Sequence, residues 1–159
     1  MAAVLDALVL AVEERFEHRL LASILLVDRD GRSLRLGAAP SLPSTYSAAI
    51  DGLVIADTAG TCGAAAHRRA TVVTADIACD PSWDGYREVA LAHGLRSCWS
   101  TPILSSAGEV LGTFAIYAAS VGEPSAAERD SLDLVARTAA LVIERDRAQS
   151  RERFLLAVD

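Results

Sequence analysis

Residues Gly94–Tyr117, GLRSCWSTPILSSAGEVLGTFAIY, constrain the fold more than any other stretch of the chain. Two apolar runs, Arg96–Leu104 and Val110–Tyr117, flank the short connection Ser105-Ser106-Ala107-Gly108. Such a pair reads as a β-hairpin, with the glycine free to take the positive φ of a tight turn. Both faces of each strand are mostly apolar or small, which predicts a hairpin lying mid-sheet with a layer packed on either side. Alternation places Arg96, Cys98 and Ser100 on one face and Ser97, Trp99, Thr101 and Ile103 on the other. On the return strand, Leu111, Thr113, Ala115 and Tyr117 oppose Val110, Gly112, Phe114 and Ile116. The small and polar set Thr113, Ala115 and Tyr117 makes the better floor for a pocket.

Helical periodicity brackets this hairpin at both ends of the chain. Ala2 to about Leu20 reads as an amphipathic helix, with Val4, Leu8, Val12 and Phe16 recurring every four residues and Leu5 and Val9 beside them. Ser23–Val27 is a short apolar strand, Asp28–Gly31 a turn and Ser33–Leu36 its partner. A short helix is predicted over Ser44–Ile50, an alanine-rich helical turn ends near Arg69, and Thr71–Thr74 is a β-branched strand. A further helix spans about Asp84–His93, closed by Gly94. Ser125 and Glu128 have capping-box spacing and open a closing helix that reaches at least Ser150. Helix, strand pair, irregular helical middle, strands and closing helix predict an α+β domain built on an antiparallel sheet.

Composition excludes several function classes. A net charge of −6 lacks the basic surface that nucleic-acid binding requires. All fifteen basic residues are arginine, and lysine and asparagine are absent, so a phosphate-loop lysine, a Schiff-base lysine and a lysine base are excluded. No G-x-S-x-G, H-E-x-x-H or C-x-x-C occurs. Cys62, Cys79 and Cys98 are odd in number and widely spaced, which reads as free thiols in a reducing compartment. Three scattered histidines give no zinc spacing. No apolar run approaches the roughly 18–20 residues of a membrane span. The N-terminal stretch lacks the flank and cleavage site of a signal peptide, and the expected location is the cytoplasm. The apolar content of 52% exceeds what one small core requires and points to a face covered by another copy or a neighbouring domain.

The hairpin, with Pro102, Gly108 and Gly112, resembles the last two long strands of a GAF domain, the small ligand-sensing module of signalling proteins. The segment GTCGAAAHRRATVVTADIACDPSW resembles the same family's helix, strand and D-I-A-x-D-P-x-W passage. The resemblance extends over about Val4–Arg145. It implies a GAF-like (profilin-like) sheet with helices on both faces and long terminal helices. It further implies a cytoplasmic sensor domain of a bacterial signalling protein, a sensor kinase or cyclic-di-nucleotide protein, without catalysis of its own. In such domains a small molecule sits between one sheet face and the irregular helices above it. That comparison assigns Cys98, Ser100, Thr113, Ala115 and Tyr117 to the floor and Trp83, Tyr86, Val89, Ala90 and His93 to the cover. Each also has a purely structural role open to it: Trp83 and Tyr86 as core aromatics, His93 as a partner of its helix end.

Known ligand classes of the family can be compared with these residues. Cyclic-nucleotide binders use an Asn-Lys pair that this chain lacks. Bilin binders attach pigment through a Cys-His pair, and the corresponding positions hold Gly85 and Tyr86. The resemblance also allows haem on His93 or His67, but no cofactor and no metal are expected. The free methionine sulfoxide reductases are echoed at Gly60–Ala65 and Ile77–Asp80, around Cys62 and Cys79. Here, however, Cys79 precedes the strand proline by a whole helix. Three readings result: a ligand sensor, a ligand-free dimerisation and relay module, and a thiol reductase.

The family commonly pairs its first and last helices across a dimer. Leu5 and Val9, with Leu134 and Leu141, are the expected dimer-facing positions of a homodimer. Residues 1–148 form the expected sensor domain, and residues 149–159 a linker to a following, PAS-type or other, output domain. The expected partners are an unknown small molecule, a second copy and that attached domain, with neither nucleic acid nor membrane.

Overall fold

The computed structural model describes Met1–Val158. The hairpin forms as β5 (Ser97–Leu104) and β6 (Val110–Ala118). Gly108, at φ +81°, closes the turn by donating its N–H to the Ser105 carbonyl at 2.9 Å. The other strands are β1 (Leu20–Val27), β2 (Ser33–Ala38), β3 (Leu53–Val54) and β4 (Val72–Thr74). Their order is β3-β2-β1-β6-β5-β4, with every neighbouring pair antiparallel. Both hairpin strands are therefore flanked on each side, as their two-sided apolar pattern requires. β6 and β1 approach so closely that a Cβ at Gly112 would lie 2.1 Å from the Leu25 carbonyl oxygen, and only glycine fits there.

Among the described residues, five α-helices cover the sheet: α1 (Ala2–Arg15), α2 (Ser44–Ile50), α3 (Gly60–Arg68), α4 (Arg87–Ala92) and α5 (Ala126–Ala157). On one face, α1 and α5 pack Leu5, Val9, Leu132, Ala139 and Ile143 against Ile24, Trp99, Phe114 and Ile116. On the other face, the middle helices bring Tyr46, Ile50, Cys62, Trp83 and Ala90 onto Leu25, Cys98, Ala115 and Tyr117. The fold is α+β, a central antiparallel sheet with helices on both sides and long helices at its two ends. The Ser125 side chain accepts from Glu128 N–H at 3.2 Å while the Glu128 carboxylate accepts from Ser125 N–H at 2.7 Å, which completes the capping box at the start of α5.

The structure departs from the sequence-based expectation in several places. α1 ends at Arg15 because Glu17 and His18 take left-handed φ values of 57° and 58°, which frees Leu20 to begin β1. The buried stripe of α1 is Leu5, Val9, Val12 and Glu13, whereas Val4 is 48% exposed. Leu5 and Val9 are fully buried under the sheet of their own chain, so neither can face a second copy. A β-bulge between Ile103 and Leu104 leaves Leu111 as the extra residue of β6. Leu111 therefore joins the α1/α5 core and leaves the face of Thr113, to which simple alternation assigned it. α4 begins at Arg87, later than the expected Asp84, after a 3-10 turn at Pro81–Trp83, and it ends at Ala92.

Candidate functional site

The register of β1, β6 and β5 builds a three-row floor beneath the middle helices. Tyr117 lies between Leu21 and Cys98, Ala115 between Ser23 and Ser100, and Thr113 between Leu25 and Pro102. Ala115 is thus bordered by three hydroxyl side chains, Ser23, Ser100 and Thr113. All three are fully buried, and none has a hydrogen-bond partner among the described residues. An unmet buried hydroxyl costs about 1–3 kcal/mol, so the cluster weighs against the stability of the fold.

The cover is held over this floor by a separate, satisfied network. Trp83 Nε1 donates to Thr61 Oγ1 at 3.0 Å, and the Thr61 and Thr74 hydroxyls share a hydrogen bond of 2.7 Å. The Trp83 turn is fixed from behind: Asp80 accepts from Ser82 N–H at 2.9 Å, and Arg87 donates to the Asp80 and Ile77 carbonyls at 2.6 and 3.1 Å. Gly63 lets α3 sit close, since a Cβ there would lie 2.6 Å from the Val54 carbonyl oxygen. Tyr46 of α2 meets Tyr117 of β6 edge-on, with centroids 5.5 Å apart. Between cover and floor remains a void of about 10 Å³ touching Tyr46, Thr61, Cys62, Trp83, Tyr86 and Tyr117. That is room for about one water. A larger groove of about 420 Å³, beside Arg69, Thr101 and Arg137, is an open surface depression away from this cluster.

Two thiols, Cys62 of α3 and Cys98 of β5, are buried in the site. The Cys98 thiol, with the Ser100, Thr113 and Tyr117 hydroxyls after it, outweighs burial and brings the Cys62 pKa down to about 7. Burial, with Cys62 as neighbour, pushes Cys98 far up, so Cys98 is the member that keeps its proton. Burial likewise raises the Tyr46 and Tyr117 phenols well above their ordinary value. The third thiol, Cys79, is exposed; its Sγ donates to Asp76 Oδ2 at 3.1 Å, and that carboxylate raises its pKa.

Most of the residues anticipated from sequence meet in this one place. Trp83, Tyr86 and Tyr117 line the void. Cys98, Ser100, Thr113 and Ala115 are fully buried on the floor, and Ala90 with half-buried Val89 packs into the same core. His93 does not belong: α4 stops at Ala92, and the imidazole is exposed at the helix end. Ser23, Tyr46, Thr61 and Cys62 are site residues that the sequence-based reading did not assign to the pocket. Ser23 was signalled by its place as the one polar residue in the run LLASILLV. Among the described residues, no cluster of three or more His, Cys, Asp or Glu could hold a metal ion, and no helix is long and apolar enough to cross a membrane.

Comparison with known proteins agrees with this architecture. The chain is similar to the methyl sulfide methyltransferase-associated sensor of Methanosarcina acetivorans, with 37% identity over 151 residues. The match covers 92% of this chain but spans only 15% of that relative's length. Among solved structures, a domain assigned to a two-component sensor histidine kinase of Sinorhizobium meliloti superposes with a TM-score of 0.77 at 22% identity, covering 95% of each chain. The free methionine-R-sulfoxide reductase of Neisseria meningitidis superposes with a TM-score of 0.73 at 21% identity, covering 93% of this chain and 80% of the other. A family profile described as GAF domain matches residues 1–144, and with the sheet, its two helical layers and the site between them in view, the chain belongs to the GAF domain family.

Proposed function

We propose that this domain is a regulatory sensor in which a small molecule engages the face formed by Ser23, Ser100, Thr113 and Tyr117, and that α5 relays the event to an attached output domain. One observation carries the proposal: β1, β5 and β6 present the unmet hydroxyls of Ser23, Ser100 and Thr113 on one side of the sheet, and β5 and β6 hold α5 on the other. Thr113 and Ala115 alternate with Phe114 and Ile116, which pack in the α5 core. Any movement of the floor is therefore delivered to the helix one residue away. Residues 149–159 are proposed as the linker to the following domain. Leu134 and Leu141, 59% and 70% exposed and one heptad apart, are proposed as the contact with α5 of a second copy.

The test is a thermal-shift screen of small polar molecules against the chain, repeated on Thr113→Val. A saturable stabilisation that is lost in the variant supports the proposal. Stabilisation of both proteins alike would place the ligand elsewhere and sink it.

The small void favours one second reading, a relay module without a ligand. In that case Tyr46, Trp83 and Tyr86 are the permanent filling of the site, and native mass spectrometry finds the chain bare under every condition. Enzymatic turnover is not proposed, because Cys62 and Cys79 stand in unlike surroundings, one enclosed and one on the surface.

A further inference from the structure

Buried hydroxyls in this molecule divide between floor and cover. Ser23, Ser100 and Thr113 on the floor bond to nothing among the described residues. Thr61 and Thr74, equally buried, share a hydrogen bond of 2.7 Å, and Thr61 also accepts from Trp83 Nε1 at 3.0 Å. The three side chains form one continuous buried chain, Trp83–Thr61–Thr74. Trp83 and Thr61 touch the void of the site, whereas Thr74 is the last residue of β4, at the edge of the sheet. From there the bonding continues along the backbone. The carbonyl of Ala75 accepts from Gly122 N–H at 2.9 Å, and the Gly122 carbonyl accepts from Trp99 Nε1 at 3.0 Å. Only Glu123 and the buried Pro124, whose ring fixes its φ, separate Gly122 from Ser125, the N-cap of α5.

We infer that Trp83, Thr61, Thr74 and Gly122 form a second output route, by which a displacement of the cover reaches the first turn of α5 around the β4 edge and not through the sheet. Coupling of this kind passes through hydrogen-bonded chains that join rigid elements. The void holds about one water, so any larger molecule entering it must push its aromatic walls outward. Moving Trp83 withdraws the indole N–H from Thr61. The Thr61 hydroxyl is then free to turn, and Thr74 loses a fixed partner. β4, only three residues long, loosens its hold on Gly122 in turn. The two routes end at different places. The floor meets the buried middle of α5, from Ser131 to Ile143, whereas the edge meets its capped first turn. The inference rests on the sensory reading for the event that moves Trp83, and on the hydrogen bonds alone for the route.

The experiment follows hydrogen exchange by NMR in the full chain without ligand. Trp83 and Trp99 are the only tryptophans, so the indole region carries one signal from each end of the route. Thr61→Val keeps the side-chain shape and removes the hydroxyl. Exchange at Gly122 N–H and Trp99 Nε1–H should rise about fivefold, the factor for one net hydrogen bond. Both are measured relative to Phe114 N–H on the central strand β6, which reports opening of the whole domain. Thr61→Ser keeps the hydroxyl and should return both signals to the parent values. Thr71→Val is the matched control, because Thr71 donates to the Thr101 hydroxyl at 2.9 Å beside the other end of β4, outside the route. It should leave both signals unchanged. Unaltered exchange at Gly122 in Thr61→Val, equal rises in Thr61→Val and Thr71→Val, or no recovery in Thr61→Ser overturns the inference. If Thr61→Val does not fold, Trp83→Phe breaks the same chain at its donor and is read at Gly122 and Trp99. No ligand enters the measurement, so failure of the route leaves the sensor reading intact, and a chain found bare by mass spectrometry leaves the route intact.

Discussion

Tyr46 and Tyr117 meet edge to face, their ring centroids 5.5 Å apart and their planes at 81°. One ring belongs to the cover and the other to the floor, so this contact clamps the two halves of the site together. Aromatic pairs in this geometry contribute about 0.5–1.5 kcal/mol beyond the area they bury. Tyr46→Ala should cost about 3–4 kcal/mol in urea unfolding, the range for removing a large buried ring. It should also enlarge the void enough to admit phenol, which would then raise the Tm of the variant and leave the parent unmoved. A loss under about 1 kcal/mol would mean that α2 simply collapses onto the floor.

Gly112 tests the sheet at its tightest point. A methyl group there would overlap the Leu25 carbonyl, which is backbone and cannot swing aside. Gly112→Ala should destabilise by about 2–3 kcal/mol or more through parting β1 from β6. Gly108→Ala should cost less, about 1 kcal/mol, from its positive φ alone, because nothing lies within 4 Å of its missing Cβ. Equal losses in the two variants would contradict the close approach.

The capping box at the start of α5 predicts a smaller effect. Ser125→Ala removes the acceptor for Glu128 N–H and should cost about 1 kcal/mol, with an unchanged denaturant slope. A silent substitution would show that the first turn of α5 is held by tertiary packing alone.

Glu13 gives the molecule a pH dependence of definite sign. It is fully buried on α1 with neither carboxylate oxygen hydrogen-bonded among the described residues. Burial raises its pKa above 4.5, with Ser41 and the His18 charge opposing. The folded chain therefore holds this proton more tightly than the unfolded chain does. The associated stability is complete below 4.5 and is lost as pH rises through the folded value. Asp28, Asp57 and Asp76 run the other way: their pKa values are lowered from 3.8, and their contribution is lost as pH falls. Asp57 is exposed and Asp28 and Asp76 are half-buried, and such solvent-screened pairings stabilise little. Glu13→Gln should flatten the decline of stability from pH 4.5 to 7 in chemical denaturation. An unaltered slope would remove Glu13 as its cause.

The outer face of α5 predicts the assembly state. Leu141→Glu should convert a homodimer to a monomer in sedimentation while leaving the unfolding midpoint of the monomeric fold within about 0.5 kcal/mol, since the side chain touches no core. A parent that sediments as a monomer at high concentration would refute the proposed contact.

How far these features can be read from the bare sequence depends on how local their cause is. The hairpin and the start of α5 were legible, because a turn glycine and a capping box act within a few residues. The phase of α1 was not. Val4, Leu8, Val12 and Phe16 repeat every four residues and drift around a helix of 3.6 residues per turn, so the sheet selected Leu5, Val9 and Val12. The end of α1 was hidden as well, because two non-glycine residues, Glu17 and His18, make its left-handed turn. Within the site, alternation along β6 located Thr113 and Tyr117, and the family resemblance added Ser100 on β5. Ser23, Tyr46 and Cys62 come from elements far apart in the chain, and only the strand register and the seating of α2 and α3 bring them together. Bulging at Leu111 is likewise a property of the β5–β6 pair, which neither strand announces alone.

Thirty-two residues of α5 form a rod about 48 Å long at 1.5 Å per residue. Its buried residues run from Ser131 to Ile143, and fourteen more helical positions follow to Ala157. The rod is thus a lever with a bearing of about 18 Å and a free arm of about 21 Å. A half-ångström displacement at one end of the bearing, pivoting about the other, becomes about 1 Å at the tip. In the proposed relay, mechanical advantage set by the length of the unburied arm turns a rearrangement smaller than one methyl group into about twice that displacement at the tip.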